Sequence, residues 1–386
     1  MKQPICVFWA MVCAVFIGAA PAAAQERGFQ QVDAGMDHVC GVDETGRIRC
    51  WGDGEYGQMG RNLRADSPVP RPVNGMRFRT QALSGGFSSC GVQLGPRTRI
   101  DCWGDNNDGQ LGDGTTTQRI APVQIDGPRR RYGGVTMGEG HACAWTTTGR
   151  VLCWGNNANG QLGDGTTTNR LTPTPMAGGF RAADVQAGFL FTCGLNSRGV
   201  ALCWGYNGFG ALGDGTADPS SSPVRVNGLR PGVQALAVGS LHSCVIDRNG
   251  NAACWGDNSA GQIGNGQTGG PVRRATRVPG LRPTVIAAGG GHSCAVVEGG
   301  EVMCWGLNTH GQLGDGTTVD SPSPVAVAGL PDPSSDAIVR LTLGDEFSCA
   351  LTALGQAYCW GENADGQLGN GTFDDSASPV RVRYGF

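Results

Sequence analysis

The sequence predicts an all-β fold, a closed seven-bladed β-propeller, and three observations carry that prediction. A Cys-Trp-Gly motif recurs seven times, at Cys50-Trp51, Cys102-Trp103, Cys153-Trp154, Cys203-Trp204, Cys254-Trp255, Cys304-Trp305 and Cys359-Trp360. The tryptophans stand 52, 51, 50, 51, 50 and 55 residues apart, a period at which each copy is one supersecondary unit unable to bury its apolar face alone. Each copy holds short β-type runs split by Gly-rich turns, and four such runs per copy match a propeller blade. The 66 glycines of the 386-residue chain would be hard to place in helices.

Residues 1–24 read as an export signal. Lys2 precedes an apolar run from Ile5 to Ala20, and Ala22-Ala23-Ala24 offers a small-residue cleavage site before Gln25. Later stretches are too polar to span a bilayer, and neither Cys6 nor Cys13 follows the small residue that lipid attachment needs. Residues 25–386 are then one domain, because a closed repeat array overrides the two or three domains that length alone would suggest.

Within a copy, an apolar alternation such as Val233-Gln-Ala-Leu-Ala-Val-Gly239 comes first, then a G-x-x-H-x-C segment such as Gly239-Ser-Leu-His242-Ser-Cys244. A hairpin turn and a V-x-C-W-G strand follow. Next come a loop such as Asn106-Asn-Asp-Gly109-Gln-Leu-Gly112-Asp-Gly-Thr115 and a last short strand such as Pro223-Val-Arg-Val226. The copies are whole, from Phe29 to Tyr384, and copies one and seven lack the polar caps that an open array needs. A closed ring needs none.

Signal cleavage would leave fourteen cysteines, two per copy, and even arithmetic in an exported chain implies disulfides. The pairs are Cys40–Cys50, Cys90–Cys102, Cys143–Cys153, Cys193–Cys203, Cys244–Cys254, Cys294–Cys304 and Cys349–Cys359. Six are ten residues apart around turn residues, so an antiparallel hairpin places the partners opposite each other. The second pair is twelve apart, with Leu94-Gly95-Pro96-Arg97 in its turn; an insertion of two keeps strand parity, where one would invert it. The short C-x2-C spacing of zinc sites is absent.

From Gln25 on there are 28 arginines, no lysine and 32 acidic residues, a net charge of −4, which is no footprint for nucleic acid. The repeats, G-x-x-H-x-C-A-x, then G-x-V-x-C-W-G-x-N-x-x-G-Q-L-G-D-G-T and a P-V strand, resemble those of the regulator of chromosome condensation family. The resemblance covers essentially all of residues 25–386 and implies the seven-bladed ring. WD repeats would show Trp-Asp, and kelch repeats a Gly-Gly pair in every copy. Copy one departs from the pattern at Arg61-Asn62-Leu63, and copy four has Ala211 in place of the loop glutamine.

The resemblance further implies that the two variable positions of G-x-x-H and those around W-G-x-N-x-x-G line one face of the disc. Here they hold Asp37, Asp53, Glu55, Asp105, Asp108, Glu139, Asp257, Asp345, Glu346, Glu362 and Asp365, eleven acids and no arginine. Nineteen of the 28 arginines fall instead between each Gly-Gln-Leu-Gly loop and the next blade. Blade four differs, offering Phe189, Leu190, Tyr206 and Phe209 in these slots with Phe191 beside them, the composition of a protein-contact hot spot.

Other readings are weaker. The seven repeat tryptophans are best explained as filler between blades, and Trp145, where other copies have Val42 or Ile246, as core. A light-sensing member of the family carries tryptophan in a G-W-R-H version of the motif, but those slots here hold Met36, Gly86, Glu139, Phe189, Ser240, Gly290 and Asp345. His38, His141, His242 and His292 share one repeat position, yet Ser88, Phe191 and Phe347 interrupt the series, which points to packing rather than metal. The loop at Asp105 puts Gly109 where an EF-hand needs an oxygen ligand. No catalytic motif appears. The expectation is an exported, non-enzymatic propeller, secreted or periplasmic and monomeric. It would need no metal or cofactor, and would bind a protein with a basic surface through Phe189, Leu190, Tyr206, Phe209, Glu139, Asp345 and Glu346. A lectin-like glycan binder and an inhibitor of an exported enzyme are the alternatives, the first disfavoured because blade four is unique. Nucleotide exchange on a nuclear GTPase does not fit an exported acidic chain.

All seven disulfides should form within repeats, as mass spectrometry after non-reducing digestion would reveal; bridges between repeats or free thiols would contradict it. Each closes a loop of roughly eleven residues, for which chain entropy gives roughly 2.5–3 kcal/mol. Removing one should cost less, because the neighbouring blades still hold the hairpin.

Overall fold

In the computed structural model the described residues are 28–76, 80–93, 98–128 and 130–384. The expected export signal, the turn at 94–97 and the last two residues lie outside them, as do the side chains of 80–84. The chain forms seven four-stranded antiparallel sheets, each contiguous in sequence and each one repeat. Blade one shows the order: β1 (Phe29–Ala34) innermost, then β2 (His38–Asp43), β3 (Ile48–Gly52) and β4 (Ser67–Pro72) outermost. The other blades span residues 80–124, 132–175, 182–225, 235–277, 283–326 and 338–381. The only helix among the described residues is a 3-10 turn at Ala177–Gly179.

All seven expected disulfides are present. The paired cysteines sit directly across the hairpin between the second and third strands, as in Cys40 opposite Cys50 and Cys244 opposite Cys254. The longer second pair, Cys90 and Cys102, holds the same register.

The repeat tryptophans are fully buried at the blade junctions. Each indole Nε1–H donates to the carbonyl of the loop residue in the blade before: Trp103 to Gln58, Trp154 to Gln110, Trp204 to Gln161, Trp305 to Gln262 and Trp360 to Gln312, at 2.7–2.9 Å. Trp255 uses the carbonyl of Ala211 at 2.8 Å, so replacing glutamine there leaves the bond intact. The glycine that ends each Gly-Gln-Leu-Gly loop has φ between 61° and 75°. A Cβ on it would lie 2.6–2.9 Å from the next blade's tryptophan, so backbone conformation and ring contact both demand glycine. Burying one tryptophan removes roughly 150–250 Å² from water, on the order of 4–6 kcal/mol before ordering costs. In copy one, Asn62 stands where others have the Asp-Gly-Thr glycine and adopts φ 60°, a left-handed conformation that asparagine tolerates.

A second contact crosses four junctions. His38, His141, His242 and His292 are fully buried, and their Nε2 atoms lie 2.7–2.8 Å from Ser89, Thr192, Ser293 and Ser348 of the next blade. Each hydroxyl donates its proton to a loop carbonyl of the histidine's own blade: Gln58, Gln161, Gln262 and Gln312. The hydroxyl oxygen therefore accepts, and the ring is the neutral Nε2–H tautomer with Nδ1 bare. Burial holds these rings far below the usual histidine range, at about 3 for His38 and His292 and about 4 for His141 and His242. Where histidine is absent the partner generally changes too. Phe347 shares an apolar cluster with Val39, and the repeat position facing Ser88 is Ala142.

The ring closes without strand exchange. Trp51 donates to the Gln367 carbonyl at 2.9 Å, Asp345 N–H to Met36 O at 3.0 Å, and Gly371 N–H to Pro68 O at 2.8 Å. Phe29 and Tyr384 stack with ring centroids 4.8 Å apart, which brings the two ends of the domain together.

These junctions make two predictions about stability. Truncation before Ser378 strips most of blade seven's outer strand and the Tyr384 stack, so it should lower Tm far more than loss of a frayed tail; an unchanged Tm would contradict ring closure. The histidines' folded pKa values lie below the unfolded 6.5, so their contribution is complete above pH 6.5 and declines as pH falls towards 4. Carboxyls pushed up by burial, Asp37 to about 7 and Asp184 to about 6, act in the opposite sense, so a difference measurement is needed. His242→Phe, which copies the Phe191 junction, should remove one proton's worth of slope, about 1.4 kcal/mol per pH unit between pH 4 and 6.5. Urea unfolding of parent and variant across that range measures it, and parallel curves would refute the assignment.

Candidate functional site

One face of the disc is built from two loops per blade, and a backbone bond ties them together. In every blade the N–H of the residue after Trp-Gly donates to the carbonyl of the second variable residue of G-x-x-H: Asp53 to Asp37, Asp105 to Phe87, Asn156 to Gly140, Tyr206 to Leu190, Asp257 to Leu241, Leu307 to Gly291 and Glu362 to Glu346, all at 2.8–3.0 Å. Side chains at these slots share a face because main chain, not side chain, fixes the loops. Within most Trp-Gly loops a buried asparagine completes the frame, as when Asn157 Nδ2 donates to the Thr166 and Thr168 carbonyls while its Oδ1 accepts from Leu162 N–H.

In blade four, Phe189, Leu190 and Tyr206 are half-buried. Phe209 is 38% exposed. The Tyr206 and Phe209 rings are tilted against one another with centroids 6.3 Å apart. Phe191 belongs to the core, fully buried in the histidine position. The substitution of Tyr206 accompanies that of Ala211. In blades one, two and five the loop glutamine's Nε2 donates to the aspartate after Trp-Gly: Gln58 to Asp53 at 2.6 Å, Gln110 to Asp105 at 2.8 Å and Gln262 to Asp257 at 2.8 Å. Tyrosine offers no such acceptor, and alanine leaves no amide to satisfy.

Those bonds divide the eleven acids. Asp53 and Asp105 are buried loop acceptors, and Asp257 is engaged in the same way. Asp105 also accepts from Gln118 Nε2 at 3.1 Å. Glu346 forms an ion pair with His310 Nε2 at 2.7 Å, and His310 Nδ1 reaches Asp375 at 2.9 Å. The Asp375 and Glu346 carboxylates raise the His310 pKa above the usual histidine value. His310 stands outside the repeated histidine position, so the repeat pattern does not single it out.

Negative charge concentrates where blades seven and one meet. Burial, with Glu362, Asp345, Asp365 and Asp53 around it, pushes Asp37 up to about 7. Burial also raises Glu362 and Asp365, with nearby acids adding to the effect. Glu139, in blade three, is raised by burial and by Asp108, Asp105 and Asp345. Blade four lies on the opposite side of the ring from the seam, so the face has an aromatic pole and an acidic pole.

A second aromatic pair corrects the expectation that blade four is unique. Tyr56 of blade one and Phe87 of blade two, both half-buried, have ring centroids 5.0 Å apart. Phe87 occupies a variable slot of G-x-x-H, and Tyr56, one blade away, occupies the Trp-Gly loop slot that Phe209 holds in blade four. Only a contact between copies joins them. Trp145 is half-buried and packs against the apolar cluster between blades three and four, with its ring over Gly133 and Gly134 of its own blade.

Among the described residues no helix is long and apolar enough to cross a membrane. The seven disulfides suit an oxidising compartment.

Known proteins agree with this architecture. The chain is 27% identical over 356 residues to the ultraviolet-B receptor UVR8 of Arabidopsis thaliana, covering 90% of this chain and 68% of the receptor. It is 28% identical over 246 residues to the E3 ubiquitin-protein ligase HERC2 of Homo sapiens, covering 61% of this chain but 5% of that protein. Human WBSCR16 superposes with a TM-score of 0.79 at 22% identity, over 87% of this chain and 94% of that one. Prp20p of Saccharomyces cerevisiae superposes with a TM-score of 0.75 at 21% identity, over 92% and 87%. The regulator of chromosome condensation (RCC1) repeat matches residues 45–92, 102–145, 148–195, 198–246, 299–351 and 355–385. A second model of that repeat matches 29–58, 134–161, 182–211, 233–262, 284–312 and 338–367, and the chain belongs to the RCC1 repeat family.

Proposed function

We propose that this protein is an exported, non-enzymatic scaffold that binds a protein with a basic surface through its loop face. The observation that carries the reading is the polarity of that face. Aromatic side chains gather in blade four and, as the Tyr56–Phe87 pair, where blades one and two meet; acids gather at the seam of blades seven and one, and the variable loop positions hold no arginine. An aromatic anchor supplies desolvated contact area, while an acidic rim attracts and orients a basic partner. The disulfides support export, since such bridges persist in oxidising compartments. Binding of Prp20p to Gsp1p and histones, and of Kap60 to yeast RCC1, makes protein recognition a reasonable use of such a propeller. A lectin would repeat one sugar site in several blades. The two aromatic pairs differ in construction, one within blade four and one bridging blades one and two.

Pull-down from the native exported protein fraction, with the parent chain as bait, would supply the partner. Phe209→Ala should then speed dissociation roughly thirtyfold, the equivalent of about 2 kcal/mol for a central anchor. Glu362→Arg/Asp365→Arg should instead slow association and flatten its salt dependence with little change in dissociation. If both variants bind like the parent while substitutions among the outer arginines abolish binding, the partner uses another surface.

A further inference from the structure

The innermost strands of the blades converge on the ring axis and end in the first two residues of G-x-x-H. Around the axis these ends form a funnel of about 100 Å³, open on the loop face. Its lip carries Met36, Glu139, Phe189, Ser240 and Asp345, with Gly86 and Gly290 completing the circle. Deeper in, Ala34, Met137, Ala187, Val238, Ala288 and Leu343 line both this funnel and the opening from the opposite face, an apolar collar between the two. The opposite opening has its own charge balance, with Arg340 3.7 Å from Asp33.

The two acids of the lip have no such balance. Arg340 belongs to the far opening, and no arginine lines the funnel among the described residues. Each acid follows a blade whose corresponding residue is glycine: Gly86 before Glu139 and Gly290 before Asp345. The second glycine has a steric purpose, since a Cβ at position 290 would lie 2.1 Å from Asp345 Oδ1. Its absence lets the Asp345 carboxylate lie across blade six, with Oδ1 3.5 Å from Ser240 Oγ of blade five. Asp345 is raised by burial, and Glu139 by burial and by Asp108, Asp105 and Asp345, as expected of desolvated acids lacking a cation.

We propose that this funnel receives the cationic tip of one lysine or arginine side chain from the docked partner, a reading that rests on the loop face being the binding surface. Asp345 and Glu139 supply the countercharge, and Phe189 supplies a ring face for the cation. Met36 packs the last methylenes of the aliphatic stem at the lip, and the apolar collar beneath forms the floor that stops the cation at the height of the two acids. The volume sets the ligand class, because small-molecule pockets run to roughly 300–1,000 Å³. At about 100 Å³ the funnel admits a side-chain end but not a sugar. A divalent metal fits poorly, since no group of three metal-ligating side chains converges among the described residues.

Titration of the isotope-labelled protein with n-butylammonium and n-propylguanidinium, followed by amide NMR, tests the proposal without the partner, and the two probes separate lysine from arginine. At least one cation should give saturable shifts at Ser240, Gly290 and Gly86 with a millimolar Kd, while neutral n-butanol gives none. Glu139→Gln/Asp345→Asn should weaken binding at least tenfold with Tm maintained, and Phe189→Leu, which keeps both charges, should weaken it a few-fold. Shifts no larger than those from butanol, or a double variant that binds the cations as tightly as the parent, would overturn the proposal. The two readings fail separately. If Phe209→Ala releases the partner but the funnel ignores both cations, docking on the loop face stands and the cation anchor falls. If the funnel binds the cations but the partner is indifferent to Phe209→Ala, the cation site stands and the aromatic docking surface falls.

Discussion

Every blade junction turns on one hydrogen bond, from a buried tryptophan indole N–H to a loop carbonyl of the preceding blade. The acceptor is main chain, so the side chain that carries it is free to change, and blade four uses that freedom at Ala211. The glycine under each ring has no such freedom, because both its positive φ and the ring above it exclude a side chain. With seven such junctions the ring closes on itself even though, among the described residues, no strand from one end joins the sheet at the other end. Closure is then a matter of packing area and polar satisfaction at the seam, and the Phe29–Tyr384 stack adds aromatic contact there.

The histidines refine this frame. A neutral ring donating to a hydroxyl, which donates in turn to the same carbonyl the tryptophan uses, fills both lone pairs of that oxygen. A buried pair of this kind works only when both members are present, since a lone buried polar group costs roughly 1–3 kcal/mol. The junction of Phe347 and Val39 is the apolar alternative. Ser88, whose Oγ is buried without a partner, marks one junction where neither solution is complete, and Phe191 facing Ser243 marks another.

Much of this was legible in the sequence because it repeats. The period gives the blades, strand parity gives the disulfide partners, and the recurrence of tryptophan in every copy argues for packing rather than binding. What the repeat could not show are contacts that cross between copies at non-equivalent positions. His38 and Ser89 are 51 residues apart, and neither residue alone signals the other. His310 meets Glu346 and Asp375 across a junction. Tyr56 meets Phe87 in the same way. Counting acids at face positions likewise overstates the free charge, because the glutamine five residues after Asp53 or Asp105 engages that carboxylate inside its own loop. The placement of Phe189, Leu190, Tyr206 and Phe209 on one face was legible, since the slots are set by backbone; their degree of burial was not.

The arrangement separates what must repeat from what can vary. Tryptophan, loop carbonyl, glycine and disulfide lie between or within blades and recur at every step. The variable residues sit where strands end, on loops held by a backbone bond that asks nothing of their side chains. A ring built this way can place an aromatic pole at blade four and an acidic pole at the seam without disturbing the junctions beneath either. In the funnel all seven blades contribute side chains or bare glycines to a common space. A glycine in one blade there decides how far an acid in the next can reach, so chemical asymmetry at the axis arises from a scaffold whose contacts are otherwise repeated.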